Sequence, residues 1–341
     1  MPTKTDAFDY VLPPDRIAQR SVEPRDHSRL LALDRSRGAW THHHFYDIGS
    51  FLKPGDLLVV NETKVFKARL TGRVGTTEIE IFLLRPEGEG WFALARPGRK
   101  LSVGDTVTFP DGRTCTVRFK TDDGTVTLDF GTTPDDVLAW ADRTGEIPVP
   151  PYVDHVPDKV DDYQTVYAKN IGSVAAPTAG FHFTPELIEK LKSQGVRFAT
   201  VTLHVGLGTF RPIKTDTIEA HEMHEEWIDV PEETQKLIAE TKASGHRVIA
   251  VGTTTVRALE SNVTHGFTNI FITPGYHFKT IDGLITNFHL PKSSLIVLVS
   301  SFVAEKQNDP DAGRKIVLDM YRDAVEKEYR FYSFGDAMLI L

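Results

Sequence analysis

The sequence is short of sulfur: 341 residues hold one cysteine, Cys115, and four methionines. A single thiol excludes a disulfide within the chain and a zinc cage built on cysteines, and it suits a reducing compartment. Positive charge is scarce too. Lys and Arg number 39 against 47 Asp and Glu, a formal charge of −8, so RNA is not attracted globally and any contact with it needs a local basic face. Long apolar runs are missing. The most apolar stretch, 293–303, falls short of the roughly 20 residues that span a bilayer. The opening M-P-T-K-T-D-A-F-D-Y lacks the pattern of a signal peptide. Both point to a cytoplasmic protein without membrane contact. No Gly-x-Gly-x-x-Gly is present at the candidate strand–turn–helix of 247–261, which argues against a dinucleotide fold.

What is there is an ordinary globular mixture, 40% hydrophobic and 25% charged, long enough for roughly two domains. Short apolar strands are expected at 30–33 and 57–60. From 64 to 150 the chain turns into short strands, with turn signals such as Thr71-Gly72, Pro97-Gly98, Gly104-Asp105, Asp111-Gly112 and Asp123-Gly124, a spacing typical of a small barrel or sandwich. A short helix is expected at 135–143. Beyond it helices (185–194, 232–244, 254–263, 292–303, 311–328) alternate with strands (196–203, 246–251, 268–272), and a strand at 330–341 ends the chain. The architecture implied is a mixed α/β domain made of 1–63 and 151–341, with a small β-barrel of 64–150 inserted.

Two polar loops stand out. The first, V-A-A-P-T-A-G-F-H-F-T at 174–184, carries Thr178, Gly180 and His182; the second, L-H-V-G-L-G-T-F-R at 203–211, carries His204, Gly206, Gly208, Thr209 and Arg211. Between them Thr184 caps a helix, Pro185 takes its first position and Glu186 favours its positive end. Loops at the ends of packed elements are where α/β proteins bind ligands. A third signal is V-G-T-T-T-V-R at 251–257. Strand, glycine turn and three threonines, Thr253, Thr254 and Thr255, open a helix whose N–H groups suit an anion, and Arg257 one turn later suits a carboxylate.

H-E-M-H-E-E-W at 221–227 packs His221, His224 and Glu226 closely. It misses the zincin His-Glu-x-x-His by one position, since Glu225 stands where the second histidine belongs, and T-H-H-H at 41–44 sends adjacent side chains to opposite faces; no metal site is expected. N-F-H-L-P-K-S-S at 287–294 places Asn287 and His289 ahead of a helix start. Lys64, Lys67 and Arg69, then Arg96, Arg99 and Lys100, supply the local basic face that RNA would require.

Taken together these stretches resemble one family, the S-adenosylmethionine:tRNA ribosyltransferase-isomerases of queuosine biosynthesis. The resemblance runs in order through R-D-H-S-R-L-L (25–31), P-G-D-L-L-V-V-N-E-T-K-V-F-K-A-R-L (54–70), F-A-L-A-R-P-G-R-K-L (92–101), G-E-I-P-V-P-P-Y (145–152), both polar loops, the segments at 221–227 and 251–261, D-G-L-I-T-N-F-H-L-P-K-S-S-L (282–295) and Y-R-F-Y-S-F-G-D-A-M-L-I (329–340). Glu62 and Phe181 replace the aspartate and leucine more usual there.

The resemblance implies that S-adenosylmethionine is consumed as a ribosyl donor, without metal or redox cofactor. The acceptor would be 7-aminomethyl-7-deazaguanine at the wobble position of tRNA, and the products epoxyqueuosine-tRNA, adenine and methionine. It implies a base of near-neutral pKa among His182, His204, His221, His224 and His289, tuned by Glu222 or Glu226. Substrate would be held by Thr178, Gly180, Gly206, Gly208, Thr209, Arg211, Thr253–Thr255, Arg257 and Asn287, and tRNA by Lys64, Lys67, Arg69, Arg96, Arg99 and Lys100. A monomer is expected. An S-adenosylmethionine-dependent RNA methyltransferase and a non-catalytic RNA-binding protein are the competing classes.

Overall fold

The computed structural model describes every residue except 1, 122–123, 155–156, 158, 207–211 and 308. Nine strands form one sheet, in the order His265–Thr268, Glu226–Asp229, Arg197–Leu203, Leu57–Asn61, Val248–Val251, Gly283–Asn287, Ala337–Ile340, Arg29–Asp34 and Ala39–His44. Arg197–Leu203, Leu57–Asn61, Val248–Val251 and Gly283–Asn287 run parallel. Leu57–Asn61, Val248–Val251 and Gly283–Asn287 are buried throughout, which is why 57–60 and 248–251 read as unbroken apolar runs rather than alternating ones.

Successive side chains of these strands feed two cores. Leu57, Val59, Val248 and Ala250 join one with Phe8, Leu259, Phe302 and Tyr321. Leu58, Val60, Ile249 and Val251 join the other with Phe45, Leu187 and Leu191. The helix Ser294–Ala304 is buried from Ile296 to Ala304 and packs against the amphipathic helix Pro310–Glu326; burial all round explains why its sequence is apolar on all sides.

The inserted segment closes a six-stranded barrel in the order Thr125–Asp129, Gly90–Arg96, Thr77–Glu87, Arg69–Val74, Thr106–Thr108 and Thr114–Lys120. Ile79, Ile81, Leu83, Val107, Val117 and Leu128 fill it. The helix Pro134–Thr144, capped by Thr133 accepting from the Asp136 N–H, adds Val137, Trp140 and Ala141 to the same core. A short parallel pair, Thr63–Val65 with Asn170–Ser173, bridges barrel and sheet.

Two strand expectations shift. The strand placed at 268–272 lies at His265–Thr268. The last strand is only Ala337–Ile340, because Tyr332 takes φ 70° and the Asp336 carboxylate accepts from the Arg29 and Arg330 N–H groups, turning the chain before pairing begins. The three-histidine run forms the sheet edge, as an edge strand would. His42 bonds Tyr329 and pairs with Asp323, His43 contacts Thr41, and His44 caps the 3₁₀ helix Phe45–Ser50.

Candidate active site

The carboxyl ends of the four parallel strands deliver Asn61, His204, Gly252 and Asn287 to one edge of the sheet. The strand Leu57–Asn61 is followed in sequence by a neighbour on one side and then by one on the other, and such a reversal opens a crevice for ligands. A cleft lies there, walled by 176–179, 252–254 and 286–290, with Tyr152, Val205 and Tyr332. It brings together Thr178, Thr253, Thr254, Asn287 and His289 of the residues expected from sequence. Gly208, Thr209 and Arg211 lie outside the described residues.

The helix Thr253–Glu260 starts at this cleft. Gly252 precedes it with φ 91°, a left-handed value that a side chain strains. Gly252 has no side chain to cap the helix, and among the described residues no side chain bonds its first N–H groups, which leaves them for a ligand, with the positive end of the dipole behind them. Thr255 turns its hydroxyl back to the Val251 carbonyl, and Asn61 Nδ2 donates to Thr254 Oγ1 at 3.4 Å. Thr253 and Thr254 line the cleft; Thr255 does not.

The histidines separate by environment. His289 lines the cleft. Its Nε2 lies 3.0 Å from Thr286 Oγ1 and its backbone is held by Tyr321 and Tyr10, while no described group bonds its Nδ1. His182 sits one layer deeper: Nδ1 is 2.7 Å from Ser28 Oγ, Nε2 is 3.3 Å from Asn287 Nδ2, and the ring lies against Phe45. Asn287 spends its other amide hydrogen on the Tyr332 carbonyl. His182 therefore orients Asn287 rather than facing the cleft. His204 stacks on Trp227 at 5.0 Å with Nδ1 2.8 Å from Thr63 Oγ1. His221 is half-buried against Phe271 and His224 is exposed.

Four of the five candidate imidazoles depart from the near-neutral value expected. Burial pushes His182 to about 3, helped by Arg330 and Arg25, His289 to about 3 and His204 to about 4; burial, then His224, lowers His221. Among the described residues no carboxylate reaches His182, His204 or His289 to offset the loss of hydration. Folded, these rings stay neutral far below pH 6, whereas the unfolded chain takes up protons below about 6.5. The stability they contribute is complete above pH 6.5 and is lost as pH falls toward 4. A His182→Gln variant is expected to flatten this acid slope by about one proton, roughly 1.4 kcal/mol per pH unit, in urea unfolding at pH 6 and 5.

Arg257 and Glu226 also depart from expectation. Instead of waiting for a ligand carboxylate, Arg257 Nη1 is paired with Glu226 Oε2, both side chains 4% exposed, while Glu226 Oε1 accepts from the Gly206 N–H. Glu226 is thus committed to Arg257 and Gly206, and the exposed Glu222 has no histidine contact among the described residues. The pair ties the helix Thr253–Glu260 to the second polar loop. At Gly206 a Cβ would meet no described atom within 4 Å, whereas Gly180 is required for room: a Cβ there would stand 2.0 Å from Tyr167 Oη and 2.7 Å from Thr165 Cγ2. Gly180→Ala is expected to lose about 1–3 kcal/mol through overpacking, read as a lower urea midpoint.

Ser28, Asn61, Thr63, Thr286 and Tyr332 escaped the sequence reading. Each lies in or beside a stretch singled out there, but Ser28, Asn61, Thr63 and Tyr332 act as partners to residues far away in sequence, and Thr286 as partner to His289 three positions on. On the barrel side, Arg69 faces Glu80 at 3.9 Å. Lys64 and Lys67 are half-buried, Arg96, Arg99 and Lys100 are exposed, and none of these five pairs with a described carboxylate. Among the described residues no three His, Cys, Asp or Glu side chains gather as a metal site, and no helix is long and apolar enough to cross a membrane.

Residues 5–340 match the family model described as queuosine biosynthesis protein. Curated relatives named S-adenosylmethionine:tRNA ribosyltransferase-isomerase include those of Moorella thermoacetica, 51% identical over 99% of this chain and 100% of that one, Thermotoga maritima, 49% over 99% and 100%, and Thermosynechococcus vestitus, 46% over 98% and 95%. The crystal structure of S-adenosylmethionine tRNA ribosyltransferase from Thermotoga maritima is similar with a TM-score of 0.56 at 40% identity, over 98% of this chain and 100% of that one.

Proposed function

Because the chain belongs to the queuosine biosynthesis family, whose curated members are S-adenosylmethionine:tRNA ribosyltransferase-isomerases, we infer that it moves and isomerises the ribosyl group of S-adenosylmethionine onto tRNA. The acceptor is the aminomethyl arm of 7-aminomethyl-7-deazaguanine at the wobble position, and the products are epoxyqueuosine-tRNA, adenine and methionine. The donor is consumed, and the reading needs no metal or redox group. The protein works as a cytoplasmic monomer.

The cleft at the carboxyl ends of the parallel strands houses the donor. Its methionine carboxylate sits on the uncapped start of Thr253–Glu260, where N–H groups and the Thr253 hydroxyl accept an anion. The sulfonium acidifies the ribose C5′ hydrogens, and His289 Nδ1, a neutral imidazole nitrogen without a partner, takes the proton. Burial weakens this base but keeps it unprotonated at any physiological pH. His182 holds Asn287 toward the substrate, and Arg257 with Glu226 sets the loop that begins at Gly206. A separate acid protonates adenine as it leaves. The acceptor arm attacks as the neutral amine. The wobble base is splayed out of its stack to reach the cleft, with Lys64, Lys67, Arg96, Arg99 and Lys100 taking phosphates.

The observation that carries this assignment is the convergence of one accessible imidazole nitrogen and one uncapped helix start on a single cleft. Incubating the protein with S-adenosylmethionine and tRNA bearing the aminomethyl base tests it. Adenine, methionine and a ribosyl-modified nucleoside in the tRNA digest are expected; S-adenosylhomocysteine would mean a methyltransferase, and no turnover a binding protein.

A further inference from the structure

The barrel holds a second cavity, away from the cleft, of about 270 Å³, lined by Arg69, Thr71, Phe109, Asp111, Trp140 and Glu146. An apolar hole of about 150 Å³ already takes up benzene, so a heterocycle fits. Phe109 and Trp140 meet edge to face at 4.8 Å and offer aromatic surface. The Arg69 side chain is 31% exposed, with Glu80 3.9 Å from its Nε, and among the described residues its guanidinium makes no hydrogen bond, so its outer N–H groups are open donors. Asp111 accepts from Trp140 Nε1 at 2.6 Å and from the Arg113 N–H at 3.1 Å, which leaves lone pairs on both oxygens and holds its carboxyl below the ordinary value, the Trp140 bond foremost. Glu146 adds a second, exposed carboxylate at the rim. One unsatisfied donor and two acceptors beside aromatic rings match the edge of a base that carries an amino group next to a ring acceptor.

We propose that this cavity is a subsite for one unpaired nucleobase of the RNA substrate, a base with an exocyclic amino group, whose amino hydrogens go to Asp111 and Glu146 and whose ring acceptor takes an outer N–H of the Arg69 guanidinium. The proposal rests on the tRNA-modifying function inferred above and adds to it a contact on the inserted barrel. Geometry permits both engagements on one RNA. Thr63, bonded to His204 beside the cleft, and Arg69 are six residues apart, at most about 22 Å of chain. The free cations Lys64 and Lys67 lie on that path. The same carboxylates disfavour uracil, which has no amino group.

The test uses the full chain and an anticodon stem–loop RNA carrying the aminomethyl base, with each other loop nucleotide made abasic in turn. Thr71→Trp fills the cavity from an exposed position, and Asp111→Asn removes the charge while keeping an acceptor for Trp140. With the natural protein, one abasic position bearing an amino-substituted base is expected to raise the KM for RNA about tenfold. In Thr71→Trp the KM is already raised about tenfold and the same abasic position adds less than twofold; Asp111→Asn falls between. The KM for S-adenosylmethionine and kcat stay within about twofold. Equal abasic penalties in all three proteins, or a penalty confined to a uridine, overturn the subsite. If Thr71→Trp fails to reach the natural thermal midpoint, Asp111→Asn decides alone. Failure of the natural protein to release adenine with the intact stem–loop would instead defeat the ribosyl-transfer reading itself.

Discussion

His289→Gln is expected to lower single-turnover adenine release about 10²–10⁴-fold, the usual contribution of a positioned general base, while S-adenosylmethionine still binds. Gln places an amide near the Thr286 hydroxyl but offers no basic nitrogen to the cleft. The comparison with His182→Gln separates the two roles. His182 reaches the substrate only through Asn287, so its loss disturbs orientation and is expected to cost less, with Asn287→Ala reproducing it. His224→Ala, at an exposed side chain, is expected to leave the rate within about twofold. Equal losses for His182 and His289, or a near-natural rate for His289→Gln, would remove His289 from the role of base. Because burial holds its pKa near 3, the acid limb of kcat between pH 5 and 8 is not expected to report this ring.

Removing either half of the Arg257–Glu226 pair is expected to be the most destabilising single change on this side of the sheet. Both groups are almost fully buried. Breaking such a buried pair costs about 3–5 kcal/mol, and Glu226→Ala also strips the Gly206 N–H of its acceptor. Arg257→Met and Glu226→Met should each show a lower urea midpoint, and the double variant should recover much of the loss, since a buried pair replaced by apolar side chains is often nearly neutral. Strict additivity of the two singles would mean the charges do not depend on each other. Recovered stability without recovered activity is the further expectation, because the pair fixes where the second polar loop begins.

Much of this molecule was legible in the order of its residues. The parallel strands announce themselves as unbroken Val, Leu and Ile runs such as Leu57–Val60, the helix after the first polar loop by Thr184 as cap and Pro185 at its first turn, and the barrel by closely spaced glycine turns. Those signals are local: backbone preferences and the period of apolar side chains act within a few residues. The polar loops were equally visible, as was the threonine-rich helix start, because Gly, Thr and His interrupt apolar patterns there.

What each polar side chain does was decided by neighbours that sequence does not rank. His182 and His289 look alike as letters, each beside a phenylalanine. Packing puts Asn287, 105 positions away, on the nitrogen of the first and leaves a nitrogen of the second open. Arg257 read as a free clamp until the fold set Glu226 against it, 31 positions away. The sequence alone determined which elements form and where polar loops interrupt them, since those depend on short-range sterics and apolar periodicity. Only the tertiary structure decided which imidazole meets the cleft, which charges cancel and how far burial shifts them, since hydration and pairing energies depend on distances that chain order does not contain.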